Sequence, residues 1–193
     1  MVPGIMVTLL SLVGGFLAAL NIVSEKEKGT IEQINVTPVK KITFIISKII
    51  PFLVIGIVIF TIGLLISRFV YGIVTVGSYA TLYAFAIVFL IALLGLGLLI
   101  STYCDTQQQA MFIAFFFMII AILLSGEFTP ITSMPRWAQV ITKFNPLSYF
   151  VEVMRLVMLK GSKLTDVATQ FFSICAFGMV LNTWAVLNYK KTS

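Results

Sequence analysis

Five stretches of this chain are long and apolar, at about 5–23, 42–67, 79–100, 109–125 and 168–188. A bilayer core of about 30 Å takes roughly 20 apolar residues in a helix, because lipid offers backbone groups no hydrogen-bond partners. Only 10% of the residues are charged, against roughly 25% in soluble domains. The chain therefore lacks the polar surface to clothe a soluble core. The expected fold is an all-α integral membrane protein with about five transmembrane helices, a single transmembrane domain over 1–193. Pro51, Gly56 and Gly63 in the second stretch and Gly95 and Gly97 in the third are expected to serve helix packing. The first cation is Lys26, so the basic n-region of a cleaved signal peptide is missing.

Orientation follows the cations only weakly. Lys26, Lys28, Lys40, Lys41, Lys48, Lys190 and Lys191 fall on one face; Arg68, Arg136, Lys143, Arg155, Lys160 and Lys163 fall on the other. The denser first set places residues 24–41 and the C-terminus in the cytoplasm. Five spans also put the start of the chain outside, so an upstream span is expected to be missing. Cys104 and Cys175 lie in different segments with no metal-like spacing, and both are expected to be unpaired.

The polarity is concentrated in 24-SEKEKGTIEQINVTPVKK-41, which holds seven of the chain's twenty charged residues. Ser24 with Glu27 fits S-x-x-E and Thr30 with Gln33 fits T-x-x-Q, two overlapping helix-start patterns. Gly29 stands between them, and Thr37-Pro38 stops the second turn, because the residue before proline avoids the helical region. The reading is a tight elbow followed by a short helix, with Lys40 and Lys41 at the headgroups. Two uses fit equally: a solvated loop, or a handle that another protein pushes.

The segment 126–167 is cut by Pro130, Pro135 and Pro146 into pieces too short to span. Residues 135–144 carry Trp137, Val140, Ile141 and Phe144 on one helical face. Residues 147–161 carry Glu152 and Arg155 at i,i+3 and stop at Gly161. Both pieces read as amphipathic helices lying in or dipping into the interface, with a re-entrant excursion as the alternative.

The run 25-EKEKGTIEQINVTP-38 resembles the E-x-E-x-G-T-x-E-Q-x-x-x-T-P signature of the membrane subunits of ABC transporters of the type 2 family. A second run, 125-SGEFTPITSMPRWAQVITKFNPLSYFVEVMRLVMLKG-161, resembles their downstream signature in its Met134-Pro135, its Asn145-Pro146 before an aromatic, and its Glu152-x-x-Arg155 followed by Leu-Lys-Gly. The likeness is greatest to multidrug-type exporter permeases, and covers the portion after the first span and the large external domain.

The resemblance implies a bacterial inner-membrane permease subunit in which 24–37 seats on a separate ABC ATPase subunit. Glu25, Glu27, Gly29, Thr30, Glu32, Gln33, Thr37 and Pro38 would carry that contact. Gly126, Pro130, Met134, Pro135, Asn145, Pro146, Glu152, Arg155 and Gly161 would build an external gate. The family also implies a second permease chain, as homo- or heterodimer. No nucleic-acid partner is expected, because the cations behind the net charge of +6 cluster in short loops beside apolar runs, where lipid headgroups account for them.

The chain has no G-x-x-x-x-G-K-[ST], so ATP is expected on the partner and no cofactor on this chain. With no histidine and no spaced cysteines, neither a nucleophile–base pair nor a metal cluster can be assembled, and the chain is not expected to be an enzyme. Its acids lie at span ends or in loops, which argues against intramembrane proton relay and suits an apolar or amphipathic cargo. Among the span-interior polar groups, Asn182 is expected to bond a neighbouring helix rather than cargo. An ion-coupled secondary carrier and a non-transporting assembly subunit are the rival readings. A carrier would call for buried ionisable groups or repeated halves with broken helices.

Overall fold

The computed structural model describes residues 2–29 and 41–188, and these form a helical bundle. Helix α1 runs Val2–Glu27, with its middle turn, Leu12–Leu17, wound as a π-helix. It is followed by α2 (Lys41–Phe69), α3 (Tyr79–Tyr103) and α4 (Gln107–Leu123). A 3-10 turn at Ile131–Ser133, a short α5 (Arg136–Thr142), α6 (Pro146–Lys160) and α7 (Ala168–Asn188) complete it. Helices α1, α2, α3 and α7 are long and apolar enough to cross a membrane; α4 has 17 residues, about 25 Å at 1.5 Å per residue.

Helix α3 is the hub of the bundle. Leu82, Phe85, Phe89, Leu90 and Leu93 are buried among α1, α2, α6 and α7. Phe89 stacks on Phe150 of α6 at 4.6 Å between ring centroids, and Phe60 of α2 lies 6.2 Å from the same ring. Phe60 meets Tyr83 edge-on at 5.6 Å, and Thr61 hydrogen-bonds the Tyr83 hydroxyl at 2.9 Å. Edge-to-face aromatic pairs of this kind add to packing beyond their area. Helix α2 is peripheral, turning Ile50, Val54, Val58, Ile62 and Leu65 outward.

Close backbone approach fixes two crossings of α3. A Cβ on Gly97 would lie 2.9 Å from the Gly15 carbonyl oxygen and 3.2 Å from the Ala19 nitrogen, so α1 and α3 touch backbone to backbone there. On the other side Gly178 of α7 faces Ala92, and Asn182 covers Gly95. Asn182 Nδ2 donates to the Ile91 carbonyl at 2.9 Å, the interhelical bond expected of it. Small residues and such bonds take the place that hydrophobic burial has in water, since lipid is as apolar as leucine.

Helix α6 does not lie on the surface. Leu147, Phe150, Val153, Met154, Val157 and Met158 are buried in the central core. Its C-terminal end stands beside the loop before α3, where Val76 and Gly77 donate backbone N–H groups to the Met158 and Val157 carbonyls at 3.2 and 3.1 Å. Its N-terminal Pro146 and Leu147 share a cavity with Leu93, fourteen residues into α3, or about 21 Å along its axis. The helix thus enters the bundle core rather than lying against its outside. Asn145 caps the inner end by accepting from the Leu147 amide at 3.1 Å, and Gly161 closes the outer end at φ 69°, a left-handed position suited to glycine. Helix α5 instead leaves Trp137, Val140 and Ile141 exposed, and Phe144 just beyond it is exposed as well.

A candidate coupling site at the polar end of the bundle

The last turn of α1 carries the first polar cluster. The S-x-x-E pattern at Ser24 does not start a helix: α1 runs through it to Glu27, and Gly29 ends the turn at φ 71°. Both side chains are instead committed across the bundle. Gln107, the first residue of α4, donates its backbone N–H to Glu27 Oε2 at 3.1 Å and its side-chain Nε2 to Ser24 Oγ at 3.1 Å. A carboxylate there satisfies an otherwise orphaned helix-start donor and favours the positive end of the helix dipole.

Lys26 completes the contact. Its Nζ donates to the Cys104 carbonyl at 2.9 Å and to Asp105 Oδ1 at 2.6 Å. This ammonium holds the Asp105 carboxyl below its ordinary value through its hydrogen bond and then its charge. The Cys104 thiol is pushed up, mainly by burial, with Lys26 partly opposing. Glu25 pairs with Lys48 near the start of α2, and its other carboxylate oxygen is buried with no partner among the described residues. Thr106 accepts from the Gln109 amide at 3.3 Å, and Gln109 Oε1 accepts from the Asp105 amide at 3.2 Å. This T-x-x-Q start to α4 is a sequence signal that marks 104–109 as built structure.

Of the residues the resemblance assigns to ATPase contact, Glu25 and Glu27 thus hold intramolecular partners, and Gly29 stands open with nothing near a Cβ position. Thr30, Glu32, Gln33, Thr37 and Pro38, with the short helix expected around 31–36, lie outside the described residues.

The opposite end gathers the second cluster. Glu127 is 7% exposed and accepts from Thr8 Oγ1 of α1 at 2.7 Å, its side chain lying over Gly4. Arg155 does not pair with Glu152, which is exposed; its guanidinium donates to the Gly126 and Glu127 carbonyls at 2.9 and 3.1 Å. Gly126 turns at φ 79°. Pro130 accepts from Ser133 Oγ at 2.7 Å, Met134 accepts from Gln139 Nε2 at 2.8 Å, and Pro135 precedes α5. Asn145 Nδ2 donates to the Ala121 carbonyl at 2.6 Å, tying α6 to the end of α4. The sequence reading named Gly126 and Arg155 and missed Glu127 and Thr8; an acidic residue between Gly126 and Thr129-Pro130 was the available signal.

Between the two ends the described walls are apolar. Leu96, Leu99, Tyr103, Phe117 and Trp184 line a cleft of about 480 Å³ between α3, α4 and α7, within the size range of small-molecule sites.

An all-helical bundle in which four helices among the described residues are long and apolar enough to cross a membrane defines an all-α integral membrane protein. The chain belongs to the ABC-2 type transporter family, whose model matches residues 1–159. It is 36% identical over 163 residues to "Probable multidrug ABC transporter permease YbhR" of Escherichia coli (strain K12), covering 84% of this chain and 44% of that one. "Probable multidrug ABC transporter permease YbhS" of the same organism is 31% identical over 162 residues, 83% of this chain and 43% of that one. "Inner membrane transport permease YhhJ" is 26% identical over 187 residues, 96% of this chain and 49% of that one. The chain spans about half the length of these curated relatives. No solved structure matches it.

Proposed function

We propose that this chain contributes the transmembrane path of an ATP-driven exporter in the bacterial inner membrane, with residues 24–41 and the C-terminus on the cytoplasmic side. ATP is hydrolysed by a separate ABC ATPase subunit that engages 24–37, and a second permease chain completes the path. The cargo is apolar or amphipathic, and the segment 126–161 acts as the external gate. The observation that carries this reading is the engagement of the elbow: Ser24, Glu25, Lys26 and Glu27 are tied to the start of α4 and to Lys48 of α2. A displacement of 24–41 is therefore delivered to three helices at once, as a rigid-body switch requires.

The test is affinity purification of the chain from native membranes, with identification of what accompanies it. A P-loop ATPase is expected, and it should be lost when residues 25–33 are scrambled. Uptake of a lipophilic fluorescent dye into inverted vesicles should then stop when the ATPase's catalytic glutamate is replaced. Recovery of the intact chain without an ATPase, or retention of the ATPase by the scrambled chain, would refute the reading.

A further inference from the structure

Lys26, Asp105 and Gln107 fall outside the signature positions assigned to ATPase contact, yet they make the contacts that join α1 to α4 at this end. Four hydrogen bonds converge within two short stretches, 24–27 and 104–107, that are about eighty residues apart in sequence. Lys26 spans the junction by holding both a carboxylate and a main-chain carbonyl. Gln107 does the same from the other side, through its backbone N–H and its side-chain amide. Directly beneath lies Cys104, with no exposed surface and packed with Ala19, Val23, Ala110 and Ala114. The clamp is polar and partly exposed, and the layer below it is apolar and buried.

We propose that Lys26, Asp105 and Gln107 are positioning residues that lock the end of α1 to the start of α4, so that these two helices move as one unit when 24–41 is displaced. This inference rests on the coupling role proposed for that segment. Helix α2 is joined to the elbow separately, through Lys48 and Glu25. The elbow thus has one link that fixes α4 to α1 and another that ties in α2. Opening the first would leave 24–41 able to engage a partner while its movement reached α4 only through the apolar contacts of Ala19 and Val23 with Ala110 and Ala114.

Cys104 reports on the clamp independently of transport. Cys175 is the chain's other cysteine and lies in α7, away from this junction. In a Cys175→Ser background, Cys104 in membrane vesicles should react slowly with N-ethylmaleimide. Lys26→Met removes an ion pair and a charged bond to the Cys104 carbonyl, and should raise the rate about three- to tenfold. The exchanged pair Lys26→Asp with Asp105→Lys should return the rate toward the parent's.

With the ATPase present, Asp105→Asn, which lies outside 24–37, should leave ATP hydrolysis running while dye moved per ATP falls. Unchanged alkylation in both Lys26→Met and Asp105→Asn would overturn the clamp. Faster alkylation with unchanged dye moved per ATP would overturn the positioning role and leave the contact as fold maintenance. A parent chain that binds no ATPase would refute the proposed function in the pull-down itself, and the positioning role with it, whereas alkylation would still report whether the junction is closed.

Discussion

Replacing Gly97 by alanine tests whether α1 and α3 meet backbone to backbone. The added Cβ would stand 2.9 Å from the Gly15 carbonyl oxygen, 3.2 Å from the Ala19 nitrogen and 3.3 Å from Ala18 Cβ. Two of those neighbours are main-chain atoms, which cannot rotate aside as a methionine or leucine end can. Reaching ordinary contact, from 3.4 Å, requires α1 and α3 to part by about 0.5 Å. A gap of that size forfeits about a quarter of the dispersion well for each facing atom pair, and overpacking of this kind costs about 1–3 kcal/mol. Alanine's better helix propensity offsets about 1 kcal/mol, leaving a net loss of about 0–2 kcal/mol.

Gly178→Ala is the control. Its Cβ would meet Ala92 at 3.5 Å, an ordinary contact, so it gains the propensity term with little strain. Both glycines are helical, so the propensity terms cancel in the comparison. Gly97→Ala should then be less stable than Gly178→Ala by about 1–3 kcal/mol. Unfolding in mixed micelles titrated with dodecyl sulfate, followed by far-UV circular dichroism, measures the difference. Equal stability of the two variants, or a more stable Gly97→Ala, would refute the close crossing.

Asn182→Ala removes the bond to the Ile91 carbonyl and should cost about 0.6 kcal/mol and at most about 1.7 kcal/mol in the same titration. Thr8→Val takes the hydroxyl from the buried Glu127 carboxylate and should destabilise by about 1–3 kcal/mol; Thr8→Ser, which keeps the donor, should recover most of that loss. The Asp105 carboxyl is lowered below its ordinary 3.8 by Lys26, so its contribution is complete above the ordinary carboxylate range and is lost as pH falls through the lowered value. The stability difference between the parent and Asp105→Asn should be flat from about pH 7 to pH 5 and should close only in stronger acid.

The helices were legible because a bilayer imposes a length and a composition on them. Which of their faces are buried was not. Helix α2 exposes Ile50, Val54, Val58 and Ile62, whereas α3 buries Leu82, Leu90, Leu93 and Leu94; both read as uninterrupted apolar runs, because lipid and protein interior select the same side chains. Helix α6 showed its ends, Asn145-Pro146 and Gly161, but its burial depends on Phe150 meeting Phe89 and Phe60, which no local pattern encodes. The elbow was legible as a polar break and misleading in detail. Ser24 and Glu27 have the spacing of a capping box, yet each is claimed by Gln107, about eighty residues downstream. A capping pattern is a local signal, and here a tertiary contact outcompetes it.

The distribution of polar contacts argues for how such a bundle can move. At mid-height α1 and α3 meet through Gly15 and Gly97, and α3 and α7 through Ala92 and Gly178, with the Asn182–Ile91 bond beside the second crossing. The charged side chains that tie α1 to its neighbours lie at its ends. At one end α1 is held to α4 by Lys26, Asp105 and Gln107; at the other it is held to the 126–127 turn by Thr8 and Glu127, and Arg155 fastens that turn to α6. Helix α1 has a polar anchor at both ends, and its 26 residues give it a length of about 39 Å. If the elbow is where force enters, α1 is the rod that carries it to α6. Cutting the Thr8–Glu127 contact should then lower dye moved per ATP while leaving the slow alkylation of Cys104 unchanged, because the clamp at the near end stays closed. Faster alkylation in Thr8→Val would show instead that the two ends do not open independently.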